Sequence, residues 1–409
     1  MQEVETQDLR EADTAGAVEL GGLGFDAGAH LLVKHALNRV AVGEGVAVCG
    51  SAPGWQAQLA AWCRSQGHAM ETGDDGAVRV RRGSAQAGRW RDAMPTGHSD
   101  PAAEEAIAER AHPRWGLAAR GAVVEAGSPE IHFRLSQRDE LWNESAGSLY
   151  RQAVAAQWDP EEIDWDNAPV LPDEIEDAVV QVMTFMVENE NAALVIPARF
   201  LGQLHPHYRE LQAALAVQIA DEARHIDVFT RRIRRHGREP ALSTAGGQES
   251  LKSLMDETDY SVASFLLSVL GEGTFVSLLK FIQAEAPDPL TREIARYAAI
   301  DEARHVALGM SHLLYRLQRE PDFRERLARA VEDRHEALRH TGGLNEEVFD
   351  SLVVMAAGAI NPEAIAEGSR KVQALVKEMA DSRYLKLVRL GFEPERAHHL
   401  SSLHTRNFM

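Results

Sequence analysis

Apolar residues recur at helical spacing, three and four positions apart, over most of the chain after residue 175. This pattern predicts four long helices within residues 175–317, arranged as two hairpins. Turn-forming residues stand midway in each hairpin, Leu-His-Pro-His at 204–207 and Ala-Pro-Asp-Pro-Leu at 286–290. Further helices are expected near residues 323–337, 348–359 and 362–379, where they would cap the bundle or form the face of a homodimer.

The first eighty residues follow a different pattern, in which short β-like runs such as 45–49 are separated by glycines and helical stretches. This pattern predicts a small α/β domain over residues 1–83. Residues 84–140 are expected to form a linker with short helices, one of them at 102–111, because Gly, Ser, Pro and charged residues are frequent there. Residues 141–409 would then form the helical domain with its C-terminal helical extension.

The pentapeptide Asp-Glu-Ala-Arg-His occurs twice, at residues 221–225 and 301–305. In each copy the Glu and the His are three residues apart, so on a helix both side chains lie on one face about one turn apart. Two such pairs, completed by one Glu from each of two further helices, hold the metals of ferritin-like di-iron and di-manganese bundles. The chain is therefore predicted to be mainly α, with a ferritin-like four-helix bundle that binds two metal ions.

Two glutamates upstream of the motifs supply the remaining carboxylates. Glu190 lies 32 residues before Glu222, and Glu272 lies 30 before Glu302, which suits ligands at equal height in a helical hairpin. Glu190 is preferred over Glu188 because it lies on the apolar stripe of its helix. The predicted metal ligands, which are also the expected catalytic groups, are Glu190, Glu222, His225, Glu272, Glu302 and His305.

The Asp and Arg of each motif are expected to support the metal-binding histidines. A metal-bound His generally donates its other ring N–H to a carboxylate, and Asp221 and Asp301 are placed to accept such a bond across the bundle. Arg224 and Arg304 would pair with these aspartates. The alternative is that each Asp-Arg couple, at i and i+3, is an ordinary ion pair on a helix surface.

The donor set indicates the kind of metal. Four oxygen ligands against two nitrogen ligands, with no cysteine, favour iron or manganese over structural zinc. We therefore expect two iron ions, or manganese, with O₂ as co-substrate. Gly271 and Gly273 flank Glu272 in a predicted helix, where each glycine costs about 1 kcal/mol against Ala. That cost indicates room beside the metal or a local π-type turn, or, alternatively, close helix packing.

Composition limits the partners and the compartment. A net charge of −19 argues against nucleic acid and anionic membranes as partners. Two cysteines, Cys49 and Cys63, fit a reducing compartment without a disulfide framework. The acidic N-terminus lacks the apolar core of a signal peptide, and no apolar run reaches 18 residues. A cytoplasmic protein is expected.

The motif region resembles the hydroxylase α-subunit of bacterial multicomponent monooxygenases, within the ribonucleotide-reductase-like branch of ferritin-like di-iron proteins. The resemblance covers roughly residues 142–309 and is carried by the doubled motif and by Gly-Glu-Gly-Thr-Phe at 271–275. It implies that the six predicted ligands bind iron. Val276 stands where these monooxygenases have a Thr associated with O₂ activation, with Thr274 nearby, and Phe229 stands where the reductase subunits have a radical Tyr.

The N-terminal residues are similar to the TusA/SirA-like sulfur-carrier fold. The similarity is carried by residues 18–24, 31–37, 42–48 and 61–68. The Cys-Pro pair of that family is replaced here by Phe25 and Asp26, which disfavours persulfide transfer at this position. An adapter, substrate-docking or oligomerisation role is expected instead, with Cys63 as a small buried hydrophobic residue.

These features predict a di-iron, O₂-dependent oxidoreductase that acts on a small organic substrate by hydroxylation, N-oxygenation or oxidative cleavage. No Fe–S or flavin motif is visible, so electrons would come from an external donor or from the substrate. The alternatives are a ferroxidase or other iron-handling protein, and a non-catalytic metal-binding bundle that binds a partner through its TusA-like domain. The histidines without partners at ligand spacing are His340, His398, His399 and His404.

Overall fold

The computed structural model describes residues 17–339 and 346–403, and its contacts divide the chain into two compact units. The first unit comprises Met1–Pro95 and Val123–Ser128, and the second comprises Thr96–Ala122 and Pro129–Met409. The first unit thus runs past residue 83, where the sequence pattern places the end of the α/β domain.

The first unit contains the small N-terminal sheet expected from the sequence. Its four main strands pair in the order β1 (Val18–Glu19), β2 (Gly45–Cys49), β4 (Val78–Arg81), β3 (Ala69–Thr72), with β1 parallel to β2 and the other neighbours antiparallel. Valines at alternate positions of β2 and β4 point into a core shared with both helices, as half-buried strands require. The elements are β1 (Val18–Glu19), α1 (Ala29–Leu37), β2 (Gly45–Cys49), α2 (Trp55–Gln66), β3 (Ala69–Thr72), β4 (Val78–Arg81), and the β5–β6 pair (Met94–Pro95 and Val123–Val124).

The short helix predicted at residues 102–111 is wrong. Glu105 has φ +55°, in the left-handed region that no helix tolerates, and the surrounding residues form turns. The segment is held by side chains of the second unit instead: the backbone N–H of Ala108 donates to Nε2 of His207 at 2.8 Å. Tyr208 likewise donates its hydroxyl to the carbonyl of Ala108 at 3.2 Å.

The second unit is built on four long helical segments. They form two hairpins, and the connections fall at the predicted turns, after Leu201 and after Glu285. The third segment is interrupted by a π-helix, called here the π segment. The elements are α3 (Arg138–Leu141), α4 (Ala146–Ala155), α5 (Asp173–Leu201), α6 (Arg209–Arg234), α7 (Ala245–Met255), α8 (Tyr260–Ser264), the π segment (Phe265–Gly271), α9 (Glu272–Glu285) and α10 (Pro289–Arg319).

Four C-terminal helices pack on this bundle, one more than the pattern predicted. They are α11 (Phe323–Leu338), α12 (Glu346–Ala357), α13 (Pro362–Arg389) and α14 (Pro394–Ser402). The third runs ten residues beyond its predicted end at 379, and its buried positions continue through Arg383 and Leu387. Helix α12 packs on α5, and α13 packs on α9. The extension therefore covers the bundle.

A buried ion-pair cluster ties three bundle helices together at one end. The guanidinium of Arg232 on α6 donates to Glu176 on α5 at 2.7 Å and to Asp288 at the start of α10 at 3.0 Å. Its Nε donates to the hydroxyl of Thr291 at 2.7 Å. Fully hydrogen-bonded buried charges of this kind fix the relative position of the helices that carry them.

One helical segment of the described residues, Tyr260–Glu285, is long and apolar enough to cross a membrane by length and composition. Buried residues make up 89% of its apolar window. That is the property of a core helix, and this segment carries Glu272 in the middle of the bundle.

Candidate metal centre

The bundle brings all six predicted ligands together in its interior. Glu190 comes from α5, the Glu222–His225 pair from α6, Glu272 from α9 and the Glu302–His305 pair from α10. Each of these residues is at most 3% exposed. The alternative residue, Glu188, is only partly buried and lies outside the cluster.

The six residues form two overlapping sets that each suit one metal ion. One set is Glu190, Glu222, His225 and Glu302, and the other is Glu222, Glu272, Glu302 and His305. Within each set the ligand atoms all lie within 4.8 Å of one another. Because Glu222 and Glu302 belong to both sets, they stand where carboxylates that bridge two ions would stand.

The distances show an approximate twofold arrangement around these shared glutamates. Nδ1 of His225 lies 3.2 Å from Glu222 and 3.4 Å from Glu302. Nδ1 of His305 lies 3.0 Å from Glu222 and 3.5 Å from Glu302. Glu190 approaches only the first histidine, with its Oε1 3.5 Å from Nδ1 of His225. Each terminal Glu therefore belongs to one end of the site.

The donor atoms that face the centre lack hydrogen-bond partners, although they are buried. Several histidine–carboxylate approaches are short, yet none of those at Nδ1 has the direction of a hydrogen bond. Leaving such atoms unsatisfied is costly unless they bind something else. The cluster could hold two metal ions through these atoms, which are Oε1 of Glu190, both oxygens of Glu222 and Glu302, Oε2 of Glu272, and Nδ1 of His225 and His305.

Each motif aspartate lies beside the histidine of the other motif. Nε2 of His225 lies 3.1 Å from Asp301, and Nε2 of His305 lies 3.3 Å from Asp221. Because an ionised carboxylate only accepts, each histidine donates from Nε2 and keeps Nδ1 free for the centre. Arg224 donates to both aspartates, so the Asp-Arg couples are buried cross-links between α6 and α10.

Three further residues hydrogen-bond to the motif aspartates or to a cluster glutamate, and the sequence pattern did not indicate them. Nε1 of Trp158 donates to Asp301 at 2.8 Å, and the indole ring stacks on His225 with centroids 6.4 Å apart. Gln157 donates to Asp221 at 2.8 Å. Gln218 donates to Oε1 of Glu272 at 3.0 Å. Of the three, only Trp158 could have been singled out from the sequence, as an aromatic residue in the polar segment before α5.

Without metal, the pKa values of both cluster histidines and of Glu190 are raised, which favours their protonated forms. Burial lowers the pKa of His225, but the nearby carboxylates of Asp301 and the cluster glutamates outweigh it and raise that pKa well above its usual value. The pKa of His305 is raised in the same way, chiefly by Glu222 and Glu302 against the effect of burial. Burial and the neighbouring negative charges raise the pKa of Glu190 well above the ordinary range. Metal binding at this site would therefore release protons.

Thr274, expected beside the metals, faces away from them. Its hydroxyl donates to the carbonyl of Leu270 at 2.7 Å and accepts from Arg383 at 3.5 Å. Phe229 is buried with its ring 6.3 Å from that of His225. These hydrogen bonds connect Thr274 to α13 and to the π segment rather than to a cluster ligand.

The two glycines beside Glu272 have different explanations. Gly271 ends the π segment, in which one extra residue per turn shifts the face on which Glu272 emerges. At Gly273 an added Cβ would lie 2.8 Å from Cε of Lys386, whose Nζ donates to the Gly273 carbonyl at 3.1 Å. The first glycine fits the π-type turn and the second fits close packing.

A cavity with about 340 Å³ of empty space, part of it open to solvent, adjoins the cluster between α5, α6, the π segment and α10. One of its polar side chains, Gln218, donates a hydrogen bond to Oε1 of Glu272. The remaining wall is mainly apolar, with residues such as Ile196, Phe200 and Leu267. No acidic residue is among the described residues that line it.

The remaining predicted residues lie elsewhere. Cys63 is buried in the core of the first unit, where burial raises the pKa of its thiol to about 11 and makes it a poor nucleophile. Phe25 begins a 3-10 turn before α1. His398 and His399 are exposed on α14, and His340 and His404 lie outside the described residues.

No protein-family model matches the chain, and no curated protein matches it either. Solved structures with a similar arrangement include an R2-like ligand-binding oxidase with an aerobically reconstituted Mn/Fe cofactor (16% identity, 61% of this chain, 94% of that chain, TM-score 0.46). Others are the R2-like ligand-binding oxidase from Sulfolobus acidocaldarius (18%, 63%, 94%, 0.42) and Protein 19 with aldehyde deformylating oxidase activity from Synechococcus (17%, 56%, 96%, 0.42). These similarities are too distant to assign a family.

Proposed function

We propose that the protein is an oxidoreductase with a two-metal centre that uses O₂ to oxidise a small organic substrate. The observation that carries the proposal is the pair of overlapping ligand sets, in which two glutamates are shared and the inward-facing donor atoms have no other partner. A donor set of four carboxylates and two imidazoles without sulfur suits two iron ions, with manganese as the alternative. When bound, such ions supply redox chemistry with O₂.

The residues around the centre have definable tasks. Asp221 and Asp301 hold the two histidines in one tautomer, and Trp158 and Arg224 hold Asp301 in turn. Gln218 orients Glu272 through a donated hydrogen bond. These supports keep the ligands in place and limit rearrangement during turnover.

The apolar cavity favours an organic substrate over iron as substrate. A ferroxidase needs a path along which hydrated iron travels, and such paths carry carboxylates. The cavity beside Glu272 has none among its described lining residues, whereas its leucine, isoleucine and phenylalanine side chains suit an apolar molecule. Electrons would come from an external donor protein or from the substrate, and hydroxylation, N-oxygenation and oxidative cleavage are all compatible with this cavity.

Proton supply is a constraint on the reaction. Phe229 and Val276 carry no exchangeable proton, and the hydroxyl of Thr274 is committed to the Leu270 carbonyl. The hydroxyl of Ser268, in contrast, lines the cavity and belongs to the residue four positions before Glu272 in the chain. We infer that Ser268 is the hydroxyl positioned to hold a proton between the cavity and the centre.

The test combines metal analysis with O₂ consumption. We expect two metal ions per chain in the purified protein and loss of metal in His225→Ala and His305→Ala. His312→Gln is the matched control, because His312 is also buried on α10 but bonds to Ser261 and Trp142 instead of the cluster. Full metal occupancy in both Ala variants would contradict the site. O₂ consumption that yields only a ferric mineral, on iron alone, would replace the oxygenase with a ferroxidase.

A further inference from the structure

A second cavity lies on the other side of the π segment, between it and helices α11, α13 and α14. It comprises about 490 Å³ of empty space, part of which is open to solvent. Its wall is mostly aliphatic, formed by Leu266, Leu270, Val331, Leu338, Leu387 and Leu400. None of the six metal-site residues lines it.

A buried guanidinium stands in this wall without a negative partner. Arg383 is 5% exposed, its Nε has no hydrogen-bond partner, and its one hydrogen bond among the described residues is to the neutral hydroxyl of Thr274 at 3.5 Å. No carboxylate of the described residues forms an ion pair with it. Arg232, another buried arginine, instead forms ion pairs with Glu176 and Asp288.

The surroundings of Arg383 add positive charge and no negative charge. Arg334 and His335 also line the cavity, and no Asp or Glu of the described residues does, in a chain with 62 acidic against 43 basic residues. Lys386 lies one turn along α13, where burial and the charge of Arg383 lower its pKa to about 8. Its bonds go to the neutral oxygens of Gly273 and Ser382.

A buried, unpaired cation in an apolar wall is costly, and an anion would offset that cost. We propose that this cavity is a binding site for a small organic carboxylate with an apolar body, whose carboxylate pairs with the guanidinium of Arg383. The planar guanidinium donates parallel N–H bonds to both oxygens of a carboxylate, while the leucines cover the aliphatic or aromatic remainder. The site goes beyond the proposed function, because it requires neither metal nor O₂.

Binding is tested by calorimetry on chelator-treated, metal-free protein, with two matched pairs of probes. Benzoate and octanoate carry the charge, and benzamide and octanamide are their neutral isosteres. We expect at least one carboxylate to bind with one site per chain, at least about tenfold tighter than its amide. Arg383→Leu should weaken carboxylate binding at least about tenfold and leave the amide unchanged or tighter.

The controls locate the site on the molecule. Arg389→Leu removes the same charge from an exposed position of α13 and should bind the carboxylate as the wild type does. His225→Ala should also bind normally, and loss there would show that the carboxylate occupies the metal cluster, which overturns the proposal. If Arg383→Leu fails to fold, Arg383→Lys is the second variant. It keeps the positive charge but lacks the planar guanidinium, and it should weaken carboxylate binding several-fold. Equal affinity for acid and amide, or no binding of either carboxylate to the wild type, also overturns it.

Discussion

At the scale of single residues, the motif aspartates decide which nitrogen of each histidine faces the centre. Asp301 accepts from Nε2 of His225 and is held by Trp158 and Arg224 at the same time. Burial raises the pKa of Asp301, but the bond with His225 and that residue's charge outweigh it, so the pKa lies below the usual range and the carboxylate stays ionised. An ionised acceptor at this place leaves Nδ1 of His225 as the lone-pair donor toward the metals.

Asp301→Asn tests this arrangement. The amide can present its NH₂ group to His225, which would favour the tautomer with Nδ1 protonated and unable to bind metal. We expect metal affinity to fall about 10- to 100-fold, measured by competition with a chromogenic chelator. Asp227→Asn removes a carboxylate from the exposed side of α6 and should leave affinity unchanged. Equal affinities in the two variants would show that Asp301 does not set the tautomer.

At the scale of elements, helical periodicity and motif spacing account for the predictable part of the site. The hairpins and the convergence of α6 and α10 follow from a pattern repeated every three to four residues. The π segment does not, because one extra residue per turn leaves the apolar composition of the strongly hydrophobic Phe265–Gly271 run unchanged. Only the paired glycines indicated it.

Residues that contact the site from irregular segments or from distant parts of the chain could not be predicted, for another reason. Gln157 and Trp158 lie in an irregular segment and contact Asp221 and Asp301, which are 64 and 143 residues away in the chain. Arg383 approaches Thr274 across 109 residues. Contacts of this kind depend on the tertiary fold and leave no local period in the sequence.

The close contact between α10 and the π segment is testable at Gly309. A Cβ added there would lie 2.7 Å from Cβ of Ser268, an atom next to the backbone that cannot rotate away. We expect Gly309→Ala to destabilise the protein by about 1–3 kcal/mol in urea unfolding, despite the better helix propensity of alanine. Gly273→Ala is the matched control, since its Cβ would meet only the flexible end of Lys386. A cost below that of the control would mean that the two elements are not in close contact.

At the scale of the whole molecule, the two units have separate hydrophobic cores, and all six cluster residues belong to the second. The first unit supplies none of them, and its buried Cys63 thiol offers no reactive group in its place. A ligand that binds only the folded state stabilises the unit that holds its site. Metal should therefore act on the second unit and leave the core of the first unchanged.

Adding Mn(II) at about 100 times its dissociation constant should stabilise the second unit by about 2.7 kcal/mol and raise its melting temperature by roughly 5 °C or more. Hydrogen exchange should slow in bundle peptides and stay the same in peptides from residues 17–95.

The increase in melting temperature on metal binding should be larger at pH 7.5 than at pH 6, for two reasons of the same sign. First, protons compete with metal for His225 and His305, so metal binds more tightly as pH rises. Second, the raised pKa values of these histidines stabilise the metal-free protein below about pH 6.5, and this stability is lost as pH rises through the raised pKa values. His305→Ala should abolish the shift while His312→Gln keeps it, and equal protection of both units would refute a site confined to the bundle.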